Sequence, residues 1–108
     1  MPFNLFQSEK TGKFHFILKA RNGETILHSE AYSSKQGAQN GITSVVKNAS
    51  NDNFERKKAK DGRSYFVLKA RNGEPIGRSE MYSSKSSMEN GIKSVIKNAK
   101  ENAILDLI

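Results

Sequence analysis

Two kinds of hydrophobic spacing follow one another along the chain, and the whole succession occurs twice. Phe14, Phe16, Leu18 and Ala20 are spaced by two, with His15, Ile17, Lys19 and Arg21 between them. Successive strand side chains point to opposite faces, so this run predicts a half-buried strand. The run enters Asn22-Gly23. Asn-Gly is the strongest short-range hairpin signal, read here as a type I′ turn with positive φ at both residues. That turn sets a register: Arg21 opposite Glu24, Lys19 opposite Ile26, Ile17 opposite His28 and Phe16 opposite Ser29. The return strand is expected over 25–32. Upstream, Phe3-Asn4-Leu5-Phe6 reads as a short first strand, followed by a polar turn over 9–12.

The spacing then changes to that of a helix. Ser33-Ser34-Lys35 is a good helix start, because serine hydroxyls accept from the free N–H groups of a first turn. Ala38, Ile42, Val45 and Ala49 recur at +4, +3 and +4, one face of a helix, and Asn48 falls near its end. A short polar linker, Ser50-Asn51-Asp52-Asn53, leads into a second round. It holds Phe54, a turn at Asp61-Gly62, the strand Tyr65-Phe66-Val67-Leu68, a return strand from Pro75, and a helix with Met88, Ile92, Val95 and Ala99 on one face. Proline suits only a strand start or an edge. The apolar tail over 103–108 fits either an added strand or a further helical turn.

Aligning each residue with the one 50 positions on, from Gly12 to Ala49, gives 24 identities in 38 positions, a clear internal duplication. Two copies are too few for a solenoid and pair more naturally about a pseudo-twofold axis. The fold class expected is α+β: two tandem strand-strand-strand-helix repeats, 1–50 and 51–108, forming one mainly antiparallel sheet. Both helices should cover the face that carries Phe16, Leu18, Phe66 and Leu68. At 108 residues the repeats together make one domain with a modest core. A monomer with internal symmetry is expected.

Composition narrows the chemistry. There is no cysteine, which excludes disulfides, thiolate metal sites and thiol nucleophiles. The N-terminal residues lack a secretory pattern and no stretch approaches a membrane span, so a cytoplasmic protein without membrane contact is expected. The formal net charge of +7 inclines it toward anionic partners.

The motif F-x-L-K-A-x-N-G-E, then I-x-x-S-E-x-Y-S-S-K, then N-G-I-x-S-V-x-x-N occurs as Phe16 through Glu24, Ile26 through Lys35 and Asn40 through Asn48, and again 50 residues later. It resembles the YegP-like family of bacterial domains of unknown function, and the likeness covers nearly the whole chain. The resemblance implies a single sheet built from two such motifs with their C-terminal strands exchanged between them, which favours a strand near the C-terminus. It implies no activity, substrate or catalytic residue.

Several residues are candidates for chemistry. Glu30/Glu80 with Tyr32/Tyr82 could serve as acid–base pairs, but an ordinary role is simpler: Glu30 offsetting Lys19 or His15 across the sheet and Tyr32 anchoring a strand end. His15 and His28 become Tyr65 and Arg78 in the second copy and lack further ligands, so no metal and no cofactor is implied. No nucleophile–base–orienter set is visible, and an enzyme is not expected. Asn40-Gly41 and Asn90-Gly91 place glycine inside a helix at a cost of about 1 kcal/mol, which suggests close packing on the sheet. Lys35 and Lys85 stand at helix starts suited to an anion. Arg56, Lys57, Lys58, Lys60 and Arg63 form the densest basic run. With Tyr65, Lys69 and Arg78 on the uncovered sheet face, they could contact single-stranded nucleic acid or another anion through stacking and phosphate neutralisation. Glu30 and Glu80 oppose that reading, and the ribonucleoprotein sequence motifs are absent. The function expected is a small non-catalytic binding or interaction module, with weak nucleic-acid binding as the alternative.

Overall fold

A computed structural model describes residues 2–101 and 103–108. Chain order is β1 (Phe3–Gln7), β2 (Phe14–Lys19), β3 (Thr25–Ser29), α1 (Lys35–Asn48), a short 3-10 turn (Asn51–Asn53), β4 (Phe54–Lys58), β5 (Ser64–Lys69), β6 (Pro75–Arg78), α2 (Lys85–Ala99) and β7 (Ile104–Asp106). The strands form one sheet in the order β4-β5-β6-β3-β2-β1-β7. Every pairing is antiparallel except that of β7 with β1.

The order is nearly a palindrome. β3 and β6 meet at the centre through His28 opposite Arg78 and Ser29 opposite Gly77. β2 and β5 flank them, and β1 and β4 lie outside. The central contact is close because residue 77 is glycine: a Cβ there would lie 2.6 Å from the His28 carbonyl oxygen. β7 breaks the symmetry. It follows the second-repeat helix yet pairs with the first strand of the chain, Ile104 with Phe3 and Asp106 with Leu5, so the terminal segment is a strand and crosses between the halves.

The helices form where the spacing predicts. Ser34 and Ser84 cap them, accepting from the N–H groups of Gly37 and Ser87 at 3.0 and 3.1 Å. Ala38, Ile42 and Val45 of α1, and Met88, Ile92, Val95 and Ala99 of α2, are buried in one cluster with Phe3, Leu5, Phe16, Leu18, Phe54, Phe66 and Leu68. Both helices therefore cover the same side of the sheet.

The hairpins differ from the expected two-residue turn. The Gly23 N–H donates to the Ala20 carbonyl at 3.0 Å and the Ala20 N–H to the Glu24 carbonyl at 2.8 Å, which places Arg21 and Asn22, not Asn22 and Gly23, at the turn's centre. Gly23 follows with φ +87°, the arrangement of a type I turn closed by a left-handed residue. The Asn22 side chain earns its place differently, accepting from the Glu24 N–H at 3.0 Å. The extra loop residue is absorbed by a bulge: Leu18 pairs with Leu27, but Lys19 pairs with Thr25 rather than Ile26. As a result Ile26 and Leu27, adjacent in sequence, are both buried. Ile17 opposite His28 holds as expected. The second repeat repeats these features at Ala70, Gly73 and Glu74. β3 also ends at Ser29, short of the expected 32. The Ser29 hydroxyl takes the Phe16 N–H at 2.9 Å, and Tyr32 rejoins the sheet only as an isolated bridge to Phe14.

Candidate functional site

On the side away from the helices, cross-strand neighbours form a row over the sheet: Glu55, Val67, Arg78, His28, Ile17, Asn4 and Leu105. Beside it, Tyr65 lies opposite Lys57, and the His15 ring stacks on Phe6 with centroids 5.5 Å apart. Much of the charge on this face is neutralised internally. Glu55 sits between Lys69 and Lys57 at 2.9 and 3.1 Å, and the Lys69 hydrogen bond, the larger cause, holds its carboxyl below the usual range. Among the described residues Glu30 forms no ion pair with the expected Lys19 or His15. Instead Glu80 meets His28 at 2.9 Å across the boundary between repeats.

The basic run lies on the edge strand β4 and on the turn after it. Alternation sends Arg56 to the helix side, in register with Phe66, and Lys57 to the open side. Arg56 is structural: it grips Glu89 of α2 with two bonds of 2.8 and 3.0 Å and the Asn51 side chain at 2.8 Å. Arg63 is held by Asp61 at 2.7 Å and Lys35 by Asp106 of β7 at 2.7 Å. Lys58, Lys60, Lys85 and Arg78 have no ion pair among the described residues. The structure brings two of the sequence candidates together. A cleft of about 310 Å³ is lined by Lys58 of β4 and by Ser83, Ser84 and Lys85 at the start of α2, so the basic strand and the second helix start share one hollow. The first helix start differs, since Lys35 is paired with Asp106 of β7.

Tyr32 and Tyr82 are packing residues. The Tyr32 ring lies parallel to Phe16 at 6.2 Å and Tyr82 to Phe66 at 6.3 Å. Each fills the space opposite a helix glycine: a Cβ on Gly41 would be 2.7 Å from Tyr32 Cζ and 2.9 Å from Phe16 Cε2. That explains Asn40-Gly41 and its twin as close-packing positions. Burial, with the charge of Glu30 second, pushes the Tyr32 phenol above its usual 10. A group titrating there is poorly matched to base catalysis near neutral pH. Among the described residues no three His, Asp or Glu side chains gather as a metal site would need, and no helix is long and apolar enough to cross a membrane.

Two further clefts were not singled out from the sequence. One, of about 480 Å³, lies between the end of α1 and the β5–β6 turn; the other, of about 250 Å³, lies between the end of α2 and the β2–β3 turn. Each joins the helix of one repeat to the hairpin of the other.

A two-layer sheet with paired helices, duplicated by an internal twofold, defines a tandem α+β repeat domain. The chain belongs to the family described as a domain of unknown function (DUF1508), whose model matches it twice, over residues 9–55 and 59–106. Curated relatives include a UPF0339 protein of Acinetobacter baylyi, 55% identical over 53 residues, 48% of each chain. Another is the YegP protein of Escherichia coli K12, 50% identical over 50 residues, 45% of this chain and 46% of the relative. The chain spans about half the length of the curated relatives it matches. Solved structures align further. The solution structure of a UPF0339 protein from Shewanella oneidensis matches with TM-score 0.90 and 46% identity, covering 99% of this chain and 92% of that one. The solution structure of E. coli YegP, described as a protein of unknown function, matches with TM-score 0.91 and 45% identity, covering 97% and 90%. The motif resemblance and the family match agree.

Proposed function

We propose that this chain is a small, non-catalytic binding module whose partner is anionic and engages the β4 end of the sheet. One observation carries the reading. Lys58 and Lys85 line the 310 Å³ cleft beside the edge strand β4 and Lys60 stands on the turn beyond that strand, none of the three with an ion pair among the described residues. Lysines on an edge also discourage strand pairing, so the charge serves the fold as well as a partner. Tyr65, opposite Lys57, lies on the open side of the same edge, the face away from the cleft, so a single strand passing over the edge would meet a stacking ring on one face and phosphate contacts on the other.

The test is titration of a fluorescent single-stranded oligonucleotide at several salt concentrations. Three neutralised phosphates give a slope of about −2.1 in log K against log salt, so raising salt from about 50 to 200 mM should weaken binding roughly twentyfold. Replacing Lys58, Lys60 and Lys85 together by Ser should flatten that slope. Tyr65→Ala should lower affinity and leave the slope unchanged, because stacking releases no counterions. An acidic polypeptide tested in parallel separates the general anionic reading from the nucleic-acid one. No binding of either at about 20 mM salt overturns the proposal.

A further inference from the structure

The two clefts between helix ends and opposite hairpins are equivalent under the internal twofold. The first is lined by Ser44, Lys47 and Asn48 of α1 with Ala70, Arg71 and Asn72 of the β5–β6 turn, and also by Asn40 and Thr43. The second is lined by the same six residue types from the other repeat of each element, including Lys97, Asn98, Arg21 and Asn22. The six shared residues are identical between the copies, although Thr43 of the first cleft is Lys93 in the second copy, whereas the open sheet face has diverged at His15 to Tyr65, Ile17 to Val67 and His28 to Arg78.

The fold accounts for some of that identity. Asn48 donates to the Ser44 carbonyl at 2.8 Å and hydroxyl at 3.2 Å, and Asn72 braces its turn by accepting from the Glu74 N–H. It does not account for Arg71. This residue is exposed at the first central position of its turn, where a type I turn accepts most residues. Neither Arg71 nor Lys47 has an ion pair among the described residues, and no carboxylate lines the first cleft. A lysine in a last helical turn complements the helix dipole, but the dipole amounts to only about half a charge. Here it is also partly covered: the Asn48 carbonyl accepts from the Asn53 side chain at 2.9 Å and from the Ser50 N–H at 2.7 Å. Two full positive charges therefore dominate the cleft. Its volume of about 480 Å³ falls in the range of about 300–1,000 Å³ typical of small-molecule sites.

We propose that the cleft between the end of α1 and the β5–β6 turn binds a phosphate group, with Lys47 and Arg71 supplying the charge and Asn72 a polar contact. Its twin is a weaker second site. It is smaller, and size is what separates the two, since both have carboxylates in an adjoining hollow, Asp52 and Glu55 beside Ala70 at the first and Glu101 with Lys19 beside Arg21 at the second. This site lies by the start of β4, at the other end of that strand from the basic cleft, and stands or falls independently of the function proposed above.

The test is an amide NMR titration of the full chain with inorganic phosphate and, separately, adenosine monophosphate, with ionic strength held constant by sodium chloride. Saturable shifts at residues 47, 48, 71 and 72, and smaller ones at 21, 22, 97 and 98, are expected. Equal affinity for the two probes assigns the site to the phosphate group alone, and tighter nucleotide binding assigns it to a phosphorylated nucleoside. Lys47→Gln with Arg71→Gln should weaken the first set at least tenfold and leave the second in place. Arg71→Gln alone, at an exposed turn position, provides the same test if the pair fails to fold. Non-saturating shifts, shifts confined to the β4 and α2-start residues, or an unchanged response in the variants overturns the proposal.

Discussion

Gly41→Ala measures how tightly the first helix lies on the sheet. In an unobstructed helix this change stabilises by about 1 kcal/mol, because alanine loses less backbone entropy. Here the new Cβ would stand 2.7 Å from Tyr32 Cζ and 2.9 Å from Phe16 Cε2, against about 3.5–4.0 Å for comfortable carbon contact. The rings would have to retreat by roughly 1 Å to restore that separation. Phe16 has nowhere to go, being fully buried and packed edge-on against Phe3 at 6.1 Å. Overpacking of this kind costs about 1–3 kcal/mol. With Phe16 immobile the upper half applies, about 2–3, and after the helical gain the net destabilisation is about 1–2 kcal/mol. Thermal unfolding followed by circular dichroism should show a drop of about 4 °C or more per kcal/mol for a domain of this size. In a Tyr32→Ala background only the Phe16 contact remains, and that ring gains room on the side where Tyr32 lay parallel to it, so the same glycine substitution should cost clearly less than with Tyr32 intact. A smaller cost in that background isolates the Tyr32 share of the contact. If Gly41→Ala raises the melting temperature with Tyr32 intact, the close-packing account of the helix glycines is wrong.

Two other perturbations probe the turns and the edge. Gly23→Val should destabilise by more than about 1 kcal/mol, since a β-branched residue is penalised at φ +87°. Gly23→Asn should be much milder because asparagine tolerates left-handed backbone, and equal melting temperatures for the two variants would refute the turn geometry. Acid unfolding tests the strut between β4 and α2. The Arg56 hydrogen bond, and less strongly the nearby positive charges, hold the Glu89 carboxyl below its ordinary 4.5. Its stabilisation is therefore present above that value and lost as pH falls through the lower folded one. Glu89→Gln should reduce the loss of stability on acidification below about pH 5 in denaturant titrations, and an unchanged pH profile would show the strut to be energetically idle. Glu55, Asp61 and Asp106 are lowered in the same direction, so a slope should remain.

The sequence by itself determined the units. Alternation marked which side of β2 and β5 is buried, the serine caps and apolar spacing placed both helices, and the 50-residue period established the duplication. These are local or nearly local effects, dictated by where one side chain points relative to the next. Asn-Gly announced the hairpins but misled about their centre. A type I turn closed by glycine uses the same two residues as a type I′ turn, and only the ladder bonds of Ala20, Gly23 and Glu24 distinguish them. The helix glycines announced close packing without naming the tyrosines that cause it. Tertiary structure alone decided which cations are free. Arg56 and Glu89 are 33 positions apart and Lys35 and Asp106 farther still, so these two cations are taken up by carboxylates that arrive from other elements, while Lys57 and Arg63 pair with Glu55 and Asp61 two positions away. Tertiary structure also decided that each helix end meets the hairpin of the opposite repeat. β3 and β6 pair antiparallel at the centre of the sheet, and that pairing brings Lys47 of one copy beside Arg71 of the other in a cleft that neither repeat builds alone.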